Sequence, residues 1–198
     1  MENLAKELEA DINKAITLPT KILMSRFCFL SEGSKFAQIM SDPKYFPFFY
    51  YLGKRIQPKR FLEIGFGLGF VSGCFLQGCK TVEEFTAYQH IKDEFYSFLI
   101  GRRNIFSVYK NKFTFINDIL DLAGEFDFVI INDDDYALDD YRSVLDTAWN
   151  HLAYDGLLLI DHAKYGGDCK QVLPDFFKIA NRKPVFVDTR YGVALLRK

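Results

Sequence analysis

Cysteine is scarce in this 198-residue chain: there are only four, Cys28, Cys74, Cys79 and Cys169. They make no C-x-x-C pair and no zinc-ligand spacing, which excludes a thiolate zinc site. A disulfide framework does not suit a chain long enough to bury a large core, so reduced thiols are expected. An excess of charge of one sign is also lacking. The formal net charge is −1, which excludes bulk attraction to nucleic acid or anionic lipid. The local basic pairs Lys54–Arg55, Lys59–Arg60 and Arg102–Arg103 read as solvated edges. No apolar run reaches membrane-spanning length, and the charged stretch Met1–Ala10 has no signal-peptide core. Repeats, low-complexity tracts and interior linkers are absent as well. The expectation is one soluble, cytoplasmic domain with no nucleic-acid or membrane partner.

What is present is organised around Arg60–Val71. Phe61 to Ile64 is an apolar run with one acid, Glu63, near its end, and reads as a buried parallel strand. Gly65, Gly67 and Gly69 follow at alternate positions, and Phe70–Leu76 predicts a helix. Strand, glycine turn and helix form the first half of a nucleotide-binding βαβ unit. The glycines permit a tight turn and let a ligand approach with no side chain in the way. The spacing is G-x-G-x-G behind a glutamate, not the G-x-G-x-x-G of dinucleotide binders.

Around this stretch, Leu4, Leu8, Ile12 and Ile16 predict an amphipathic helix that ends before Pro19. Ser34–Met40 reads as a short helix before an Asp42–Pro43 turn. The dense aromatic run Tyr45–Leu52 reads as helical from Pro47. Its rings either pack on the sheet or line a substrate pocket or dimer face. Glu84–Gln89 is a second strand followed by His90, and a helix over Lys92–Ile100 stops at Gly101. Phe113–Ile116 is a third strand leading into Asp118, a natural helix cap. Phe126–Ile131 is a fourth strand, ending in the polar cluster Asn132, Asp133, Asp134, Asp135 and Tyr136. Tyr141, Val144, Leu145, Ala148, Trp149 and Leu152 form the apolar face of the next helix. A turn at Ala153–Gly156 then precedes a strand, Leu157–Ile160, that ends in Asp161–His162. Gly166, Gly167 and Asp168 introduce a further helix, which Pro174 either kinks or reopens. Val185–Thr189 and Gly192–Arg197 read as two strands around a tight turn at Arg190–Tyr191.

In order and spacing these motifs, from about Ser31 to the C-terminus, resemble the class I S-adenosylmethionine-dependent methyltransferases. The small O-methyltransferases related to catechol O-methyltransferase are the nearest group. The resemblance implies an α/β, Rossmann-like doubly wound sheet of seven strands, mostly parallel with a C-terminal antiparallel hairpin. Residues 1–57 would form an N-terminal helical cap segment and 58–198 the α/β domain. It further implies that Glu63, Gly65, Gly67 and Gly69 hold the methionine part of S-adenosylmethionine. Gln89 stands where an acid grips the ribose hydroxyls, so a charge is missing there. Asp118 resembles the acid that contacts adenine, a role compatible with capping. Asn132 lies beside the same cofactor.

In the metal-dependent branch of that group, two aspartates and an asparagine hold a divalent ion, and a lysine assists. Asn132 falls at the first aspartate, Asp161 at the second and His162 at the asparagine, while Asp135 stands at the lysine position. Such a set could hold manganese, iron or zinc. The alternative is metal-free chemistry, with His162 or Asp134 as general base. Asp133–Asp135 could also be a solvated loop capping the next helix. The implied activity is methyl transfer to a small-molecule acceptor at a hydroxyl oxygen. The readings that compete with it are a catalytically degenerate assembly module and an NAD-dependent enzyme. A homodimer through the N-terminal helix and aromatic run is left open.

Overall fold

The computed structural model describes residues 1–15, 45–67, 69–89, 109, 111–132, 138–164, 171–189 and 191–198. The expected helices at Ser34–Met40 and Lys92–Ile100, the Asp42–Pro43 turn, Ile16, Pro19, His90, Gly101, Asp133–Tyr136, Gly166–Asp168 and Arg190 lie outside them, as do Cys28 and Cys169.

In chain order the elements are α1 (Glu2–Ala15), α2 (Tyr45–Ile56), β1 (Arg60–Ile64), α3 (Phe70–Gly78), β2 (Glu84–Tyr88) and β3 (Lys112–Ile116). They continue as a short 3-10 turn (Ile119–Asp121), β4 (Phe126–Ile131), α4 (Leu138–Asn150), β5 (Leu152–Ile160), α5 (Leu173–Ile179), β6 (Val185–Val187) and β7 (Val193–Arg197). The strands form one seven-stranded sheet in the order β3-β2-β1-β4-β5-β7-β6. Strands β3 to β5 run parallel, while β7 is antiparallel to both β5 and β6. This is the doubly wound sheet with a C-terminal antiparallel hairpin that the sequence predicts.

Successive strand residues point to opposite faces, and the sheet divides its core accordingly. Phe61, Phe128, Ile130, Leu159 and Leu195 face one cluster together with Ala5, Leu8 and Ile12 of α1 and the apolar side of α2 and α3. Leu62, Ile64, Val129, Ile131, Leu158 and Leu196 face the other, with Tyr141, Val144, Leu145 and Ala148 of α4 and Phe176 of α5. Much of the phenylalanine is spent on the first face: Phe61 stacks on Phe85 at 4.8 Å and on Phe128 at 5.4 Å, and Phe85 stacks on Phe113 at 5.1 Å.

Three elements differ in detail from the sequence reading. Helix α2 starts at Tyr45, two residues before the expected Pro47; proline is tolerated in a first turn because the N–H groups there have no intrahelical acceptor. Leu152 belongs to β5, not to α4, although it is buried in the same cluster as the α4 face. The turn expected at Ala153–Gly156 is instead an irregularity inside β5. Phe126 pairs with Leu152 but Phe128 with Leu157, so residues of β5 loop out between them, with Asp155 left-handed at φ 63°. Pro174 opens α5 from its first turn.

Tyr45, Phe46, Phe48 and Phe49 are buried against the protein's own core, so these rings are not available to a dimer face. Helices α2 and α3 cross at near contact. A Cβ on Gly78 would lie 2.0 Å from the Tyr50 carbonyl oxygen, and one on Gly53 would lie 2.3 Å from that of Phe75. This close crossing sets the start of α2 over the carboxyl ends of the strands.

Candidate functional site

Strand β1 is flanked by β2 on one side and β4 on the other. The chain therefore reverses direction across the sheet at β1, and the crevice beyond the carboxyl ends of β1 and β4 is where open α/β sheets bind ligands. The glycine loop lies there. Gly65, Gly67 and Gly69 all adopt left-handed backbone, with φ of 84°, 49° and 70°, a conformation that costs side-chain-bearing residues about 1–2 kcal/mol. The Gly65 and Phe66 N–H groups both donate to the Tyr88 carbonyl. The Gly67 N–H donates to Gln89 Oε1 at 2.6 Å. A Cβ on Gly67 would meet none of the described residues within 4 Å, so among these the loop leaves open space above its middle.

Glu63 is fully buried beneath this loop. Ser72 Oγ on α3 donates to its Oε2, and Asn132 Nδ2 donates to its Oε1 at 3.4 Å. Burial pushes the Glu63 carboxyl well above the usual carboxylate range; the two donors oppose this, and the nearby Asp161 carboxylate adds to it. Desolvation outweighs two hydrogen bonds here, with no cationic side chain among the described residues to offset it. The neighbouring Cys74 thiol is pushed up to about 12 by burial and then by Glu63, which leaves it unreactive.

Asn132 and Asp161 stand side by side, at the ends of β4 and β5. The Asn132 N–H donates to the Ile64 carbonyl at 2.8 Å, and that of Asp161 to the Ile131 carbonyl at 2.9 Å. Both side chains meet the hydroxyl of Tyr45, the first residue of α2. It donates to Asp161 Oδ2 and lies 3.5 Å from Asn132 Oδ1. Burial, then the Asp161 carboxylate, holds the Tyr45 phenol well above its ordinary range. Asp161 Oδ1 accepts the His162 backbone N–H at 2.8 Å. His162 is itself left-handed, φ 57°, an uncommon state for a residue other than glycine and one that collects at functional sites. Its ring lies 4.4 Å from that of Tyr191. Its Nδ1 is buried without a hydrogen-bond partner among the described residues, 3.9 Å from Asp161 Oδ2. The turn carrying Tyr191 closes on Lys164: a Cβ at Gly192 would lie 2.2 Å from Lys164 Cβ.

The structure thus brings Glu63, the three glycines, Gln89, Asn132, Asp161 and His162 to one sheet edge. Asp118 lies beyond β3 on the same edge, where its side chain caps the 3-10 turn by accepting the Leu120 N–H at 2.9 Å. Asp134 is outside the described residues. A metal does not fit the expected donor set in this arrangement. Both oxygens of Asp161 already accept hydrogens, one from Tyr45 and one from the main chain. The Asn132 amide is directed at Glu63 and Tyr45.

By sequence, no protein-family profile and no curated protein matches the chain. By structure it is similar to a Podospora anserina methyltransferase bound to SAH (S-adenosylhomocysteine). That likeness has a TM-score of 0.64 at 19% identity over 99% of this chain and 95% of that one. An O-methyltransferase from Bacillus cereus in complex with SAH gives 0.66 at 13% identity, covering 96% and 97%. A methyltransferase from Geobacter sulfurreducens gives 0.63 at 17% identity, covering 91% and 96%. The fold is that of the class I methyltransferases. These matches extend over nearly the whole length of each partner.

Sequence reasoning passed over Tyr45, Ser72 and Tyr191 as individual site residues. Tyr45 was legible only as part of an aromatic run. Ser72 lies nine positions after Glu63 in a helix with an otherwise apolar face, and a lone buried hydroxyl there is the one local signal for it.

Proposed function

We propose that the protein is an S-adenosylmethionine-dependent methyltransferase acting on a hydroxyl oxygen of a small-molecule acceptor. One observation carries the reading: three alternate left-handed glycines lie at the end of β1, above a buried glutamate, at the point where the strand order reverses. The open space over Gly67 fits a ligand that approaches the backbone closely. Gln89, already on the loop, can turn its amide toward ribose hydroxyls. Leu120, exposed beside Asp118, offers an apolar surface where the resemblance places adenine.

The cofactor, when bound, supplies an electrophilic methyl group on sulfur. The protein's own task is to hold the acceptor oxygen in line and to accept its proton. His162 is the group we assign to the proton. Its ring packs on Tyr191, and its buried Nδ1 faces Asp161 Oδ2 at 3.9 Å, which leaves Nε2 as the atom to take the proton. Asp161, buried close by, is placed to stabilise the imidazolium that results. No step is assigned to a metal.

Calorimetric titration with S-adenosylmethionine and S-adenosylhomocysteine tests the cofactor. Micromolar binding of both supports the reading, and no binding at millimolar ligand contradicts it. Turnover to S-adenosylhomocysteine across a panel of small phenols and alcohols tests the acceptor class.

A second reading, a degenerate binding or assembly module, is favoured by the neutral Gln89 closing the loop where an acid would carry charge. Turnover with any acceptor would end it.

A further inference from the structure

We infer that the Tyr45 hydroxyl occupies the place between Asn132 and Asp161 that a divalent ion would need, and that Tyr45 keeps such an ion out. The hydroxyl bridges the same two side-chain oxygens, Asp161 Oδ2 and Asn132 Oδ1, that an ion would have to share. An ion requires those oxygens at about 2.0–2.6 Å, with the space between them open. Here Asp161 Oδ2 takes the phenol hydrogen, and Oδ1 takes the His162 N–H.

The phenol cannot be swung aside cheaply. Its ring is buried, with edge contacts to Phe46 at 5.1 Å, Phe49 at 5.3 Å and Tyr191 at 5.5 Å. Helix α2, which carries it, is fixed by the glycine crossing with α3. Among the described residues, the donors to the buried Asp161 carboxylate are the Tyr45 hydroxyl and the His162 main chain, both neutral, and a buried acid needs such partners. Tyr45 acts as a positioning residue. It holds Asp161, whose Oδ1 in turn fixes the main chain of the left-handed His162.

The inference deepens the reading of the same site and goes against the metal-dependent branch, but its test needs neither cofactor nor acceptor. Failure here would leave methyl transfer standing, and failure to bind S-adenosylmethionine would leave this inference standing. The experiment is titration of Mn²⁺ into the purified full chain, following free Mn²⁺ by electron paramagnetic resonance. The comparison runs across the unmodified protein, Tyr45→Phe, Asp161→Asn, and the two substitutions combined. Removing the phenol oxygen exposes the oxygen pair, so Tyr45→Phe should bind Mn²⁺ more tightly than the unmodified chain by about tenfold or more, roughly 1.4 kcal/mol. The added Asp161→Asn should abolish the gain. Mn²⁺ binding by the unmodified chain that is lost in Asp161→Asn alone would overturn the inference. So would equal, absent binding in the unmodified chain and Tyr45→Phe. If Tyr45→Phe fails to fold, Tyr45→Leu serves in its place, and the comparison of the unmodified chain with Asp161→Asn retains its power to overturn.

Discussion

Gln89 Oε1 accepts the Gly67 N–H at 2.6 Å, tying the end of β2 to the middle of the glycine loop. The residue proposed for the ribose thus also shapes the loop proposed to face the methionine part. Gln89→Ala should weaken S-adenosylhomocysteine binding by about five- to tenfold, the worth of one well-formed hydrogen bond at about 1 kcal/mol. Gln89→Glu should tighten it by restoring the missing charge at the ribose. Calorimetry on the three proteins reads both outcomes.

Two glycine substitutions should separate architecture from ligand approach. Gly78→Ala puts a Cβ 2.0 Å from a backbone oxygen of α2 and should lower stability by about 1–3 kcal/mol, as overpacking does. Gly67→Ala meets no atom of the described residues within 4 Å, so its left-handed strain of about 1–2 kcal/mol is what acts on the fold. Its larger effect should fall on cofactor affinity. Urea unfolding beside ligand titration distinguishes the two.

Glu63 should make stability fall as pH rises. Its carboxyl is held well above the ordinary value of 4.5 by burial, so the folded state keeps a proton that the unfolded chain gives up. The contribution is fully present below about pH 4.5 and is lost as pH rises toward the folded pKa. Glu63→Gln mimics the protonated acid without the titration. Its unfolding free energy should exceed that of the unmodified protein at pH 8, and the gap should close toward pH 4.5. A gap independent of pH would contradict the assignment.

His162 combines a strained backbone with the proposed proton acceptor, and glycine separates the two. His162→Gly relieves a left-handed φ of 57°, worth about 1–3 kcal/mol. The variant should therefore stay folded while methyl transfer falls by about 10²–10⁴-fold. Thermal unfolding paired with a turnover assay checks it; retained turnover would remove His162 from the chemistry.

The parallel strands were legible because burial on both faces writes them as near-continuous apolar runs, as in Phe61–Ile64, broken only by Glu63, and Phe128–Ile131. The glycine loop was legible because left-handed backbone leaves a residue-type signature. The β5 irregularity was not: Ala153–Gly156 carries an ordinary turn composition, and only pairing with β4 shows that the strand continues through it. The contact of Tyr45 with Asp161 was not legible either. The two residues are 116 positions apart, and nothing local to the start of an aromatic helix says which strand end it will overhang. The same crossing hid the metal question. Asn132, Asp161 and His162 can be aligned with ligand positions in a row of letters, but what occupies the space between them is decided by a helix from elsewhere.

The most direct test of the account is S-adenosylmethionine and S-adenosylhomocysteine binding by calorimetry, run with and without Mn²⁺. The account predicts micromolar binding of both ligands, indifferent to the ion and weakened by Gln89→Ala. No binding at millimolar ligand would contradict it and leave the fold as a module without its cofactor.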